Sequence, residues 1–301
     1  MKVIFMGTPD FAVPTLEKLI ENGHEVMAVV TQPDRPKNRG MQLQESPVKE
    51  VAKKHNLLVL QPEKVKKDRE FIDKIKSFNA DVLVVVAFGQ ILPKEVLDAG
   101  KYGSINVHGS LLPKYRGAAP IQWSVINGDE TAGVTTMYMD EGLDTGDMIL
   151  KAEVKIGEEE TAGELYERLK VLGADLLIKT LDEIEKGTAK REKQPDEFSY
   201  APMLTKETGK IDWNKTSKEI DSLVRGVNPW PSAYTELNGK KIKVHKVRIL
   251  DEKGETGSII ASDSKKGLIV GTKDGAVELV EIQPENKKKM LAKDYLRGNS
   301  I

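Results

Sequence analysis

DVLVVVAFGQILPKEVLDAGKYGSINVHGSLLPKYRG, residues 81–117, holds two apolar runs, DVLVVVAFG (81–89) and GSINVHG (103–109), that read as strands. DVLVVVAFG does not alternate apolar with polar residues. That is the pattern of a strand covered on both faces, as in a parallel sheet flanked by helices. Similar runs stand upstream: KVIFMG (2–7), EVMAVVTQ (25–32) and LLVLQ (57–61). Helical segments separate them. DFAVPTLEKLIENG ends on Gly23, a natural cap, and SPVKEVAKKHN opens with Ser46 as cap and Pro47 in the first turn. DREFIDKIKSFN carries Phe71, Ile72, Ile75 and Phe78 at helical spacing. The alternation predicts an α/β, Rossmann-like parallel-sheet domain closed by a long amphipathic helix over 161–187.

Beyond residue 188 the texture changes. TAKREKQPDEFSYAPMLTKETG has no sustained periodicity and reads as a linker. A helix, TSKEIDSLVRGV, is followed by short alternating strands with Gly turns: AYTELNGKKIKVHKVRI, GSIIAS and GLIVGTKDGAVELVEI. These predict a small OB-like β-barrel. The expected organisation is therefore a domain over 1–189, a linker over 190–206 and a barrel over 207–301.

A length of 301 residues suits two domains, and 39% hydrophobic with 31% charged residues excludes a disordered chain. The longest apolar runs, such as VLVVVAF at 82–88, are too short to span a bilayer, and MKVIFMGTPDF enters a strand without a cleavage signal. A cytoplasmic protein is expected. With no cysteine, disulfides, thiolate ligands and a cysteine nucleophile are excluded together. The net charge is −1; residues 191–301 hold 21 Lys/Arg against 17 Asp/Glu, leaving 25 against 30 for residues 1–190. A slightly basic C-terminal part is compatible with a phosphate-bearing partner.

GTPDF (7–11) follows the first strand but has one Gly where a dinucleotide fingerprint needs three, so it reads as an ordinary strand-to-helix turn. Asn106 and His108 are different. They stand two apart near the carboxyl end of a strand, so their side chains leave on one face, at the edge where open α/β sheets bind ligands. MDEGLDTGD (139–147) adds four carboxylates between two Gly, in a spacing that does not fit an EF-hand loop. A carboxylate beside His108 orients the imidazole and favours its charged form. An amide, an imidazole and a carboxylate suit acyl transfer without a covalent enzyme nucleophile. Ser110 lacks a nucleophile elbow around it.

Asn-x-His, SLLPKYRGAAPIQW and LDTGD together resemble the folate-dependent formyltransferases, and among these the members that act on methionyl initiator tRNA. The likeness extends through FMGTPDF, TQPDRPKNRG, SPVK and VVVAFGQILP to GKIDWNKTSKEIDSLVRGVNPWPSA. It implies that Asn106, His108 and Asp144 are catalytic. It further implies that Phe88, Gly89, Gln90, Ile91 and Leu92 wall the pterin pocket and that Ser110, Leu111, Leu112 and Pro113 form the folate loop. The implied formyl donor is 10-formyltetrahydrofolate, the acceptor is initiator methionyl-tRNA, no metal is required and the enzyme is a monomer. Segment 31–49 is long for a strand-to-helix connection. In the resembling enzymes it is an insertion that probes the acceptor stem, which gives Arg35, Lys37 and Arg39 phosphate or base contacts. Met41 and Gln42 stand where further basic residues are common in the family.

Lys241 and Lys243 are expected to meet tRNA from one face of the GKKIKVHKVRI hairpin; without a bulge, Lys240, Lys246 and Arg248 would lie on the other. Three rival readings remain at this level. A glycinamide ribonucleotide formyltransferase is a single domain of about two-thirds this length. A sugar-nucleotide formyltransferase also carries a barrel-like part, and a silent RNA-binding protein would not need all three polar residues.

Overall fold

The computed structural model describes residues 1–37 and 42–301, without the side chains of Lys37 and Gln42. In chain order the first elements are β1 (Lys2–Gly7), α1 (Val13–Glu21), β2 (Glu25–Val30), β3 (Arg35–Lys37), β4 (Gln42–Gln44), α2 (Pro47–Lys54) and β5 (Val59–Leu60). Next come α3 (Arg69–Ser77), β6 (Val82–Val86), α4 (Lys94–Leu97), β7 (Ser104–His108), β8 (Arg116–Gly117), α5 (Pro120–Ile126), β9 (Thr131–Tyr138), β10 (Met148–Lys155) and α6 (Ala162–Glu185). The remainder is β11 (Tyr200–Ala201), α7 (Ser217–Gly226), β12 (Ala233–Leu237), β13 (Lys240–Leu250), β14 (Ile259–Asp263), β15 (Gly267–Gly271), β16 (Ala276–Pro284), β17 (Met290–Leu291) and α8 (Ala292–Tyr295). Two compact units form. One comprises Met1–Gly117, Gly133–Val154 and Tyr166–Tyr200, the other Ala118–Ala132, Lys155–Leu165 and Ala201–Ile301.

Among the described residues, the first unit holds a seven-stranded sheet in the order β10-β9-β7-β6-β1-β2-β5. Pairs β1/β2, β1/β6, β2/β5 and β6/β7 are parallel. The sheet is mixed rather than parallel throughout, because β9 runs antiparallel to β7 with His108 opposite Thr135. Antiparallel strands can leave one face to solvent. Edge strand β10 does so, exposing Lys151, Glu153 and Lys155, whereas every residue of β6 is buried.

The winding fixes where a ligand fits. From β1 the chain steps outward through β2 to β5, then returns to the other side of β1 as β6 and continues to β7. The order reverses between β1 and β6, and the crevice outside the carboxyl ends of those strands is the binding place of such sheets. Gly7 pairs with Val86 there, and a Cβ on Gly7 would meet Ala12 Cβ at 2.7 Å. Its glycine serves close packing of β1 on the following turn.

Residues 190–200, expected as part of a linker, lie along the first unit instead. Met148 and Glu192 exchange backbone hydrogen bonds (2.8 and 2.9 Å), and Arg116 N–H donates to Ser199 O at 2.8 Å. Inter-segment ladder bonds carry no period that a sequence reading can detect.

In the second unit an antiparallel sheet runs β12-β13-β16-β15-β14, with β17 on β16. An OB-like barrel was expected. Among the described residues the two ends of this path, β12 and β14, are not paired with each other. Ile242, Val244, Leu268, Val277, Leu279 and Ile282 form its core, with Ile220 and Val224 of α7. A reciprocal cap starts α7: Thr216 N–H and hydroxyl both donate to Glu219 Oε2 at 2.8 Å, and Glu219 N–H donates back to Thr216 Oγ1 at 3.2 Å. The Thr216 backbone N–H, then its hydroxyl, push the Glu219 carboxyl down to about 2.

A depressed carboxylate stabilises the fold above its unfolded value, about 4.3, and the contribution is lost as pH falls through the folded value. The stability gap between wild type and Glu219→Gln should therefore narrow between about pH 6 and about pH 3 in urea unfolding. A gap constant over that range would refute the role of the carboxylate charge.

Candidate active site

Strand β7 carries Asn106 and His108 to the carboxyl edge of the sheet, beside β6. Asn106 Nδ2 donates to Val85 O at 3.1 Å, while Asn106 Oδ1 is buried without a hydrogen-bond partner among the described residues. A buried acceptor left unpaired costs free energy, so an unpaired oxygen at a ligand edge points to a donor supplied by substrate.

His108 is 6% exposed. Its Nε2 lies 2.8 Å from Tyr115 O, which accepts only, so Nε2 carries the proton of that bond. The other nitrogen, Nδ1, faces Asp144 Oδ2 at 3.7 Å, an ion-pair distance too long for a direct hydrogen bond. The structure thus brings His108 and Asp144, 36 residues apart in sequence, to within ion-pair distance.

Asp144 is held by backbone. Its Oδ2 accepts Gly117 N–H at 2.8 Å, and Gln194 Nε2 donates to the carbonyls of Asp144 (2.7 Å) and Gly146 (2.9 Å). Gln194 in turn accepts Arg116 Nε–H at 2.9 Å through Oε1. The neighbouring carboxylates are occupied elsewhere: Asp140 Oδ1 accepts Gly142 N–H and the Thr145 hydroxyl, and Asp147 pairs with Arg191 at 3.2 Å. Ser110 is not a nucleophile in this arrangement, since its hydroxyl donates to Lys114 O at 2.6 Å. Thr135, opposite His108, donates to Ser110 O and accepts Leu112 N–H, tying the loop to β9.

Backbone conformation marks the same place. Ala87 (φ +47°), Tyr115 (φ +62°) and Asp144 (φ +54°) are all left-handed without being glycine. Such outliers cost free energy and persist where surroundings impose them, as at sites. Tyr115, Arg116, Thr135 and Gln194 escaped the sequence reading as site residues. Tyr115 and Arg116 stand in the loop KYRG, which the sequence does mark; Thr135 and Gln194 gave no signal.

The expected pterin wall divides. Phe88 and Leu92 are buried in the core with Leu83, Val85 and Val96, Ile91 is 80% exposed, and Gly89 takes φ +85°. What the turn offers at the crevice is backbone and Ile91 rather than the Phe88 ring. Thr8 and Gln32 both donate to Phe88 O at 3.1 Å, and Gln90 accepts Val65 N–H and donates to Pro62 O. In the loop, Leu112 packs on Met137 and Met148. Leu111 lies against Gly133, where a Cβ would approach it to 2.5 Å, and Pro113 O accepts Ser199 N–H at 3.4 Å.

Within segment 31–49, β3 pairs antiparallel with β4 and α2 begins at Pro47, so its described residues are not a plain loop. Arg35 is exposed on it; Lys37 belongs to β3, and Arg39 lies outside the described residues. The stem is clamped: Lys49 Nζ donates to Asp34 at 2.5 Å and to Gln61 at 2.9 Å, and Gln61 donates to Asp34 at 2.9 Å. The Lys49 ammonium holds the Asp34 carboxyl below its ordinary range, and Asp34 raises Lys49.

On β13 the expectation of two opposed basic faces changes. The register to β16 shifts between Val244 and Val247, a bulge at His245–Lys246. Burial changes phase there, from Ile242 and Val244 to Val247. Lys241, Lys243, Lys246 and Arg248 are all exposed while Ile242, Val244 and Val247 are buried. Lys246 pairs with Glu159 and Arg248 with Glu278. Lys241 stands over the Tyr234 ring at 4.5 Å, and among the described residues neither it nor Lys243 has an ion partner.

A Rossmann-like unit with Asn, His and Asp at its carboxyl edge, joined to an antiparallel-sheet unit, defines the class, and the chain belongs to the formyl transferase family. The family's formyl transferase domain matches residues 1–181, and its C-terminal domain matches 203–300. Methionyl-tRNA formyltransferase of Clostridioides difficile (strain 630) is 59% identical over 100% of this chain and 98% of its own. That of Clostridium acetobutylicum is 56% identical over 100% and 97%. The N-formyltransferase of Helicobacter canadensis, solved with folinic acid and dTDP-3-aminofucose, shares the fold at a TM-score of 0.69, with 23% identity over 96% of this chain and all of its own.

Proposed function

We propose that the chain transfers the formyl group of 10-formyltetrahydrofolate to the free amino group of methionyl initiator tRNA, giving N-formylmethionyl-tRNA for translation initiation. Full-length relatives at 50–59% identity support the reaction. The observation that carries the site is Asn106 Oδ1, a buried acceptor with no partner among the described residues, on the strand that carries His108 to Asp144. An amine nucleophile brings N–H donors and fits that vacancy in hydrogen bonding.

When bound, the folate supplies the formyl carbon, whose bond to N10 breaks as its bond to the amine forms. Asn106 Oδ1 accepts an N–H of the incoming amine and orients its lone pair. The second N–H of Asn106 Nδ2, the first being spent on Val85 O, faces the oxygen on which negative charge develops. With Nε2 committed to Tyr115 O, Nδ1 is the working nitrogen of His108. It lies between Asp144 and the substrate, where a proton leaving the amine can be held before it reaches N10. The folate occupies the crevice between β1 and β6, against residues 88–92 and 110–113. In the first unit Arg35, Lys37 and Arg39 of segment 31–49 contact the acceptor stem, and in the second Lys241 and Lys243 of β13 contact tRNA, with phosphate contacts fixing its register.

Formyl release measured side by side with methionyl initiator tRNA and a dTDP-amino sugar tests the acceptor. Comparable or faster transfer to the sugar would overturn it. The basic face has its own test, because each phosphate contact releases counterions. Lys241→Gln with Lys243→Gln should weaken tRNA binding and reduce the slope of log K against log salt by about 1 per contact, with folate binding unchanged. An unchanged slope would confine the contacts to the first unit.

A further inference from the structure

Phe198 and Tyr200 stand beside this site with no part in the chemistry above. Both are exposed, at 43% and 58%, and their rings meet edge to face, centroids 5.1 Å apart at 79°. Exposed aromatics in contact with one another leave ring faces uncovered where burial would be favourable. These two are also held in place. Ser199, between them, accepts Tyr115 N–H through its hydroxyl at 2.9 Å and Arg116 N–H through its carbonyl at 2.8 Å. The buried Arg116 guanidinium lies 4.2 Å from the Phe198 centroid. The same short run gives Tyr115 O to His108 and Gly117 N–H to Asp144. The aromatic pair is therefore braced on the backbone that orients the catalytic groups.

We propose that Phe198 and Tyr200 are a stacking platform for the unpaired terminal base at the 3′ end of the aminoacylated acceptor, an inference that rests on the acceptor assigned above. The reacting amine and the terminal base are parts of one esterified nucleotide. A base platform must then lie next to the chemistry, as this pair does. Every base has a π face, so aromatic stacking holds a single-stranded end without base-edge readout. Lys114, exposed on the same loop and without an ion partner among the described residues, adds positive charge for a phosphodiester. An amino-sugar nucleotide would carry its base on the far side of a pyrophosphate, distant from the reacting amine.

The test uses the full chain and methionyl initiator tRNA whose terminal adenine is replaced by 2-aminopurine. Binding to wild type should quench the fluorescence. Tyr200→Leu and Phe198→Leu should each relieve the quench and raise KM for the tRNA about 5- to 150-fold, the span of base–aromatic stacking. KM for the formyl donor should stay unchanged and kcat should move far less, with Tyr200→Phe restoring both readouts. Should Phe198→Leu lose its fold with the Arg116 contact, Tyr200→Leu carries the test alone. Quench and KM unchanged in the Leu variants overturn the platform while formylation continues. KM raised with the quench intact also overturns it, as a merely structural effect. No formylation of tRNA by wild type overturns the acceptor assignment instead.

Discussion

His108→Gln is expected to lower the formylation rate about 10²–10³-fold while thermal unfolding stays close to wild type. The choice of Gln follows from the two unlike roles of the ring. His108 is buried and its Nε2–H satisfies Tyr115 O, so alanine would remove a hydrogen bond and leave space, costing on the order of 1–3 kcal/mol of stability. A glutamine amide reaches about as far as Nε2 and can keep that bond. What it lacks is a titratable nitrogen at the Nδ1 position facing Asp144. The loss should fall on kcat, since the interaction arises as charge develops. Asn106→Ala should cost a similar factor, because it removes both the unpaired Oδ1 and the amide donor at the same edge. Near-normal turnover in both variants would sink the assignment of the β7 edge.

Asp144→Asn should reduce the rate by about 10²–10⁴-fold with the fold and formyl-donor binding retained. Asparagine tolerates the left-handed conformation at this position, and its Oδ1 can still accept Gly117 N–H. The backbone carbonyl held by Gln194 is untouched. The substitution therefore isolates one change, loss of the negative charge that faces Nδ1 of His108. Asp147→Asn is the matched control. Asp147 pairs with a largely exposed Arg191, an interaction worth about 0–1 kcal/mol, so its loss should alter turnover within a few-fold. A crippled Asp147→Asn beside a mild Asp144→Asn would mean the wrong carboxylate had been chosen.

Much of the site was legible in the residues because its parts are local. Two polar residues at a spacing of two on an apolar strand announce a shared face, and Gly-punctuated carboxylates announce a loop. Other parts were not. Nothing near His108 in sequence says which ring nitrogen is spent, since the answer comes from the left-handed turn at Tyr115. Gln194 stands in a segment with no periodicity, yet it secures the loop of Asp144. Lys246 and Arg248 were expected opposite Lys241 and Lys243. The irregular register at His245–Lys246 goes with exposure of all four, and such an irregularity leaves no mark in composition.

By itself the sequence determined the two kinds of unit and the parallel strands of the first sheet, and it singled out the candidate residues for moving a proton. Each of these follows from short-range rules, period and turn chemistry acting within a few residues. Only the tertiary structure decided that β9 turns antiparallel, that residues 190–200 pack back on the first unit, and that Asp144 faces Nδ1 at 3.7 Å. Those are pairings between segments tens of residues apart, set by which backbone donors and acceptors remain to be satisfied once the local elements have formed.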